Sequence, residues 1–255
     1  MHDTPQQARI DDRYALFLDF DGTLVEIAER PDAVMLDREL PGVLASLKDK
    51  LGGALAIVSG RPVSFLDPHF LPHRFDMAGL HGLEQRIAGE LSLCDPDEHP
   101  QLRRMIGRLK EIVANKAGVL IEDKGCSVAI HWRLAPQEKE FALATAHAAV
   151  EALGSEYRVQ HGKAVAEILP SAAGKGKVIE RFLHAAPYKG RLPIFVGDDL
   201  TDEHGFKTVN ARGGLSVRIG AGETIAKVRL GTPADLRHCL SSWASGGTFP
   251  FNVDD

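Results

Sequence analysis

LFLDFDGTLVEI, Leu16 to Ile27, is apolar as far as Leu18 and then turns polar at once through Asp19, Asp21, Gly22 and Thr23. A short apolar run with little alternation is the pattern of a strand buried on both faces, the habit of parallel sheets covered by helices. In an open parallel sheet the ligand crevice lies beyond the carboxyl ends of the strands. The stretch therefore predicts a pair of carboxylates, one residue apart, delivered to a binding rim. Other apolar runs behave alike: ALAIV (54–58) gives way to Ser59-Gly60-Arg61, and PIFVG (193–197) to Asp198, Asp199 and Asp202 in GDDLTDE. With a helix-like stretch over 41–50 and a further strand in LSVRIG (215–220), the pattern predicts an α/β core with a parallel sheet flanked by helices.

The middle of the chain reads differently. Leu102, Ile106, Leu109 and Val113 recur at helical spacing, and two strand-like runs, GVLIED and CSVAIHWR, follow around Lys124-Gly125. A second helix over 136–153 leads to YRVQHG and AVAEILP, two strands around Gly162-Lys163. Helix, strand, strand, twice over, is an αββαββ unit. It predicts an α+β cap domain inserted at 83–170 into a core formed by 1–82 and 171–255.

The formal net charge of −5 argues against general affinity for nucleic acid or an anionic membrane, and points to small-molecule partners. Cys94, Cys126 and Cys239 are an odd number without CxxC spacing, so no disulfide framework is expected and a reducing cytoplasm fits. No apolar run approaches the ~20 residues that span a bilayer.

Several carboxylates gathered at one rim repel one another unless a cation sits among them, and an oxygen-only set favours magnesium over zinc. With magnesium bound, Asp19 can stay ionised and attack a phosphoryl group. A nucleophilic carboxylate cannot also protonate the departing alkoxide, so Asp21, two residues on, is assigned that proton. Lys175 opens a predicted helix, where its ammonium and the helix N-terminus both favour an anion; Lys177 is a second candidate for the same role. LPSAAGKGK resembles a phosphate-binding Walker A loop, but Leu169 and Gly176 stand where glycine and a hydroxyl residue belong.

Four segments, DFDGTL, SGR, the lysine and GDDLTDE, resemble in order the motifs of the haloacid dehalogenase superfamily of phosphatases, with its Rossmann-like core. The resemblance implies Asp19 as nucleophile and metal ligand, and Asp21 as acid/base with its carbonyl on the metal. It implies Ser59 and Lys175 on the phosphoryl oxygens, with Gly60 and Arg61 beside them, and Asp198 and Asp202 completing the magnesium site. AGLHGLE, EDKGCSVAIHWR, HGK and AEILP, together with the trailing RPDAV of the first motif, are similar to bacterial trehalose-6-phosphate phosphatases. By that likeness Lys124, Arg133, Lys163 and Glu167, with Glu122 and His131, would contact the sugar from the cap, and His81 and Glu84 from the core. It implies a magnesium-dependent monomer acting on a sugar phosphate and coupled in function to a trehalose-phosphate synthase. A phosphatase of sucrose or glucosylglycerol phosphate, or a non-catalytic sugar-phosphate sensor, stands as the alternative.

Overall fold

The structure, a computed structural model, describes residues 10–27 and 34–248. Most of RPDAV therefore lies outside the described residues. The chain divides into two units: Met1–Leu91, Lys175–Asp198 and Asp202–Asp255 form the core, and Ser92–Gly174 with Asp199–Thr201 the cap.

The opening stretch becomes β1 (Tyr14–Leu18), and every residue of it is buried. Leu16 and Leu18 point into one apolar cluster with α1 (Leu40–Lys50), α2 (Val63–Phe70) and α7 (Pro233–Ala244). Ala15 and Phe17 point into another, with α5 (Lys175–His184) and α6 (Glu203–Ala211). Period-2 alternation thus feeds both faces of one strand, which is why the run shows no polar residue. β1 pairs in parallel with β2 (Leu55–Val58) on one side and β10 (Leu192–Gly197) on the other. The sheet continues through β11 (Leu215–Ile219) and β12 (Val228–Leu230), and on the other side through β3 (Asp76–Gly79), β4 (Glu84–Ile87) and β5 (Glu90–Ser92). The parallel Rossmann-like core is as the sequence predicts.

One boundary moves. β4 pairs antiparallel with β3, Met77 opposite Arg86, so residues 83–91 extend the core sheet and the cap begins at Ser92 rather than Leu83. The reason lies in Arg86, a charged residue in a segment with no apolar alternation: it is buried and pairs with Asp67 of α2 at 2.5 Å, which ties β4 to the core.

In the cap, α3 (Pro100–Val113) and α4 (Lys139–Leu153) cover one face of an antiparallel sheet of order β6-β7-β9-β8, formed by β6 (Leu120–Asp123), β7 (Val128–His131), β9 (Val165–Pro170) and β8 (Tyr157–Gly162). Val128, Ile130, Ala166 and Ile168 pack against Leu102, Leu109, Ala142 and Ala146 of the helices. The αββαββ order stands, and the alternate residues Glu122, Ala129, Glu167 and Gln160 form one row across the opposite face.

The cysteine expectation is overturned. Cys94 and Cys126 are joined by a disulfide across 32 residues, and Cys239 is free. Odd number and wide spacing say nothing about which two sulfurs the fold brings together, and cysteine usage no longer argues for a reducing compartment.

Candidate active site

Three strand ends and one helix start supply the core site. Asp19 follows β1, Ser59 follows β2, Asp198 follows β10 and Lys175 opens α5; all four are buried. Lys175 Nζ donates to Asp19 Oδ1 and to Asp202 Oδ1, each at 2.6 Å. Thr23 Oγ1 donates to the other oxygen of Asp19 at 3.2 Å. Both oxygens of Asp202 are engaged: the second accepts from the Asp198 N–H at 3.0 Å, which turns the acidic loop back upon the strand end.

Carboxylate oxygens of Asp19, Asp198 and Asp202 lie within 4.8 Å of one another. Burial pushes the Asp19 carboxyl well above its ordinary value, Asp202 and Asp198 push it further, and the Lys175 ammonium opposes them. Burial works against the charge of Lys175 too, but Asp19 and Asp202 together outweigh it and its pKa is raised. One ammonium among three carboxylates leaves the cluster short of positive charge. A hard divalent cation fits that deficit and that oxygen-only donor set. The alternative lysine, Lys177, is exposed, so the ammonium of the cluster is Lys175.

Tight backbone passages bring these groups together. Gly22 has φ +75°, and a β-carbon there would stand 2.2 Å from Asp198 Oδ2. Gly22→Ala is therefore expected to cost about 2 kcal/mol of stability in urea unfolding and to depress turnover by displacing Asp198. Unchanged turnover with a full-length, folded variant would contradict this placement.

Arg61 makes a bidentate ion pair with Asp21, Nε at 2.8 Å and Nη2 at 2.7 Å, while lying over the Phe65 ring. Ser59 Oγ accepts from the Arg61 N–H at 3.1 Å, leaving its O–H to donate. Glu84, expected at the sugar, accepts from the Val63 N–H at 2.7 Å and so anchors the start of α2. His81 is buried at φ +56°, its N–H bonded to Ser59 O, and its ring occupies the space a β-carbon on Gly60 would need.

Of the expected sugar residues of the cap, Glu122, His131 and Glu167 lie on the sheet face without helices, and Lys124 lies in the β6–β7 turn beside it. Glu167 is buried, accepting from Ser127 Oγ at 2.6 Å and from Lys124 Nζ at 3.1 Å. Glu122 and His131 pair at 2.8 Å, and that hydrogen bond holds Glu122 below the usual carboxylate range. Arg133 and Lys163 are exposed in turns at one end of the sheet, joined by the Trp132 N–H to Ala164 O bond. Thr23 and Ser127, the hydroxyls that hold Asp19 and Glu167, escaped sequence reasoning; Thr23 was inside the quoted motif, and Ser127 carries no signal.

A model of the trehalose-phosphatase family matches residues 17–233, which take in every group described above. The chain belongs to the trehalose-phosphatase family. Among family members, a probable trehalose-phosphate phosphatase of Sinorhizobium fredii is 46% identical over 216 residues, covering 82% of this chain and 78% of that protein. The trehalose-6-phosphate phosphatase of Escherichia coli is 41% identical over 226 residues, covering 88% and 84%. The fold is similar to the C-terminal domain of the C. albicans trehalose-6-phosphate phosphatase, with a TM-score of 0.78 at 21% identity, covering 94% of this chain and 99% of that one.

Proposed function

We propose that this protein hydrolyses trehalose 6-phosphate to trehalose and inorganic phosphate through an aspartyl-phosphate on Asp19, with magnesium as its cofactor. The observation that carries the reaction is the buried cluster in which Lys175 holds Asp19 and Asp202 beside Asp198. Asp19, the Asp21 carbonyl and Asp198 would hold the metal, with Asp202, whose two oxygens are engaged by Lys175 and the Asp198 N–H, bracing them. The ion supplies charge neutralisation of the phosphoryl group and keeps a buried carboxylate ionised.

Thr23 and Lys175 fix the two oxygens of Asp19, so the carboxylate meets phosphorus in one orientation. Ser59 and Lys175 donate to phosphoryl oxygens as charge develops on them. Asp21 gives a proton to the departing sugar oxygen and later takes one from the water that opens the acyl phosphate. Both oxygens of Asp21 face Arg61, so this pair opens before Asp21 serves the departing oxygen.

Sugar selection is assigned to Glu122, Lys124, His131, Arg133, Lys163 and Glu167, supported by the gathering of Glu122, Lys124, His131 and Glu167 at one sheet face. Charged groups hydrogen-bond hydroxyls directionally and discriminate between stereoisomers. Every proposed group comes from one chain, so a monomer suffices. A synthase of the phosphorylated disaccharide would supply the substrate. No described helix is long and apolar enough to cross a membrane. We place the protein in the cytoplasm, beside the synthase that would supply its charged substrate.

Glu167→Gln tests the sugar assignment. It is expected to lower kcat/KM for trehalose 6-phosphate at least about tenfold, and to leave hydrolysis of an aryl phosphate nearly unchanged. Equal losses on both substrates would remove Glu167 from sugar selection.

A further inference from the structure

Cys126 occupies the turn between β6 and β7 and is buried, while its disulfide partner Cys94 is partly exposed ahead of α3. The Cys126 N–H donates to Lys124 O at 3.1 Å, and the Lys124 N–H to Ser127 O at 3.0 Å. The two side chains that grip Glu167 therefore belong to the turn the disulfide holds. The same turn packs on the 94–99 segment, where a β-carbon on Gly125 would stand 3.2 Å from Pro96.

A third group completes the arrangement. A ring nitrogen of His99 and the two sulfurs all lie within 4.8 Å of one another, and Nδ1 of that ring is 2.9 Å from Tyr157 Oη. An imidazole beside a sulfur can share the proton of the departing thiol, and its protonated form favours thiolate over thiol. Thiolate is both the attacking and the leaving species in thiol–disulfide exchange.

We propose that Cys94–Cys126 is a reversible modification site, exchanged by low-molecular-weight thiols, that sets how tightly the cap holds the sugar. The inference rests on the reading that Lys124 and Glu167 bind sugar. A small thiolate attacks Sγ of Cys94, the more accessible sulfur; the S–S bond breaks, and Cys126 departs as a thiolate beside His99 and takes up a proton. A second small thiolate attacks the mixed disulfide at its small-molecule sulfur, releasing a small disulfide and the Cys94 thiolate. Two electrons pass from two small thiols to the protein. In the bridged form the turn is fixed before sugar arrives; in the open form binding has to order it, and affinity falls.

The test uses the full-length enzyme equilibrated with excess reduced or oxidised glutathione-type thiol, with free thiols counted by alkylation after denaturation. The oxidised enzyme should show one free thiol, Cys239, and the reduced enzyme all three cysteines free. On reduction, KM for trehalose 6-phosphate should rise at least about fivefold, the lower end of coupling between linked equilibria, with aryl phosphate hydrolysis unchanged. Cys94→Ser should show the raised KM in both conditions. Equal KM in the two states, three free thiols after oxidation, or parallel loss on both substrates would overturn the proposal. Glu167→Gln in the oxidised enzyme separates the two failures: if it selectively lowers kcat/KM for trehalose 6-phosphate while reduction leaves KM unchanged, only the redox inference falls. If it leaves that selectivity unchanged, the sugar reading falls and takes the inference with it.

Discussion

Asp19→Asn is expected to lower turnover of trehalose 6-phosphate by about 10⁴-fold or more, the scale on which loss of a nucleophile acts, while the fold survives. Asparagine keeps an oxygen for Lys175 and nearly the same volume, but its amide does not attack phosphorus. The carboxyl it replaces is buried and raised above its ordinary value by that burial and by Asp202 and Asp198. A neutral side chain removes that repulsion, so the metal-free variant should melt no lower than the parent. Phosphate release and a thermal melt on the same sample check both halves. A variant with near-parental turnover would refute the covalent route through Asp19.

Lys175→Met is expected to act in the opposite sense on stability. Lys175 is the ammonium between Asp19 and Asp202, and all three side chains are almost fully buried. Removing one partner of a buried charge cluster costs about 3–5 kcal/mol, because the remaining carboxylates are left to neutralise or repel. The raised pKa of Lys175 places this stabilisation fully below its ordinary value of 10.5, to be lost only as pH rises through the still higher folded value, so the deficit should be complete at pH 7. Turnover should fall about 10³-fold through loss of a donor to the phosphoryl oxygens. Added magnesium should raise the melting temperature of the variant more than that of the parent, since it then takes over the charge that the ammonium supplied. Equal magnesium shifts in both proteins would mean that the ion does not bind among these carboxylates.

The core was legible because each chemical residue sits where a buried strand stops. Asp19 after Leu18, Ser59 after Val58 and Asp198 after Gly197 are read from the hydrophobic pattern alone. Lys175 was separable from Lys177 only in three dimensions, where one is buried against Asp19 and the other exposed. Glu84 and Arg86 fall within the expected cap range of 83–170, since no local signal announces the β3–β4 pairing that ties them to the core sheet. Their partners, the Val63 N–H and Asp67, come from α2, about twenty residues earlier in the chain.

Glu167 was named by resemblance, but its burial was not legible: its partners Lys124 and Ser127 are brought alongside by β7–β9 pairing, a register that apolar alternation does not reveal. The disulfide shows the limit most plainly. Pairing of Cys94 with Cys126 depends on a segment before α3 meeting the β6–β7 turn, and no local signal in either stretch announces it.

The most direct test of the central claim is phosphate release, with and without magnesium, from trehalose 6-phosphate, sucrose 6-phosphate, glucose 6-phosphate and an aryl phosphate. The account predicts magnesium-dependent hydrolysis with a clear preference for trehalose 6-phosphate. Similar rates across the panel would contradict the assignment of sugar selection to the cap, and no release from any of them would contradict the phosphatase reading itself.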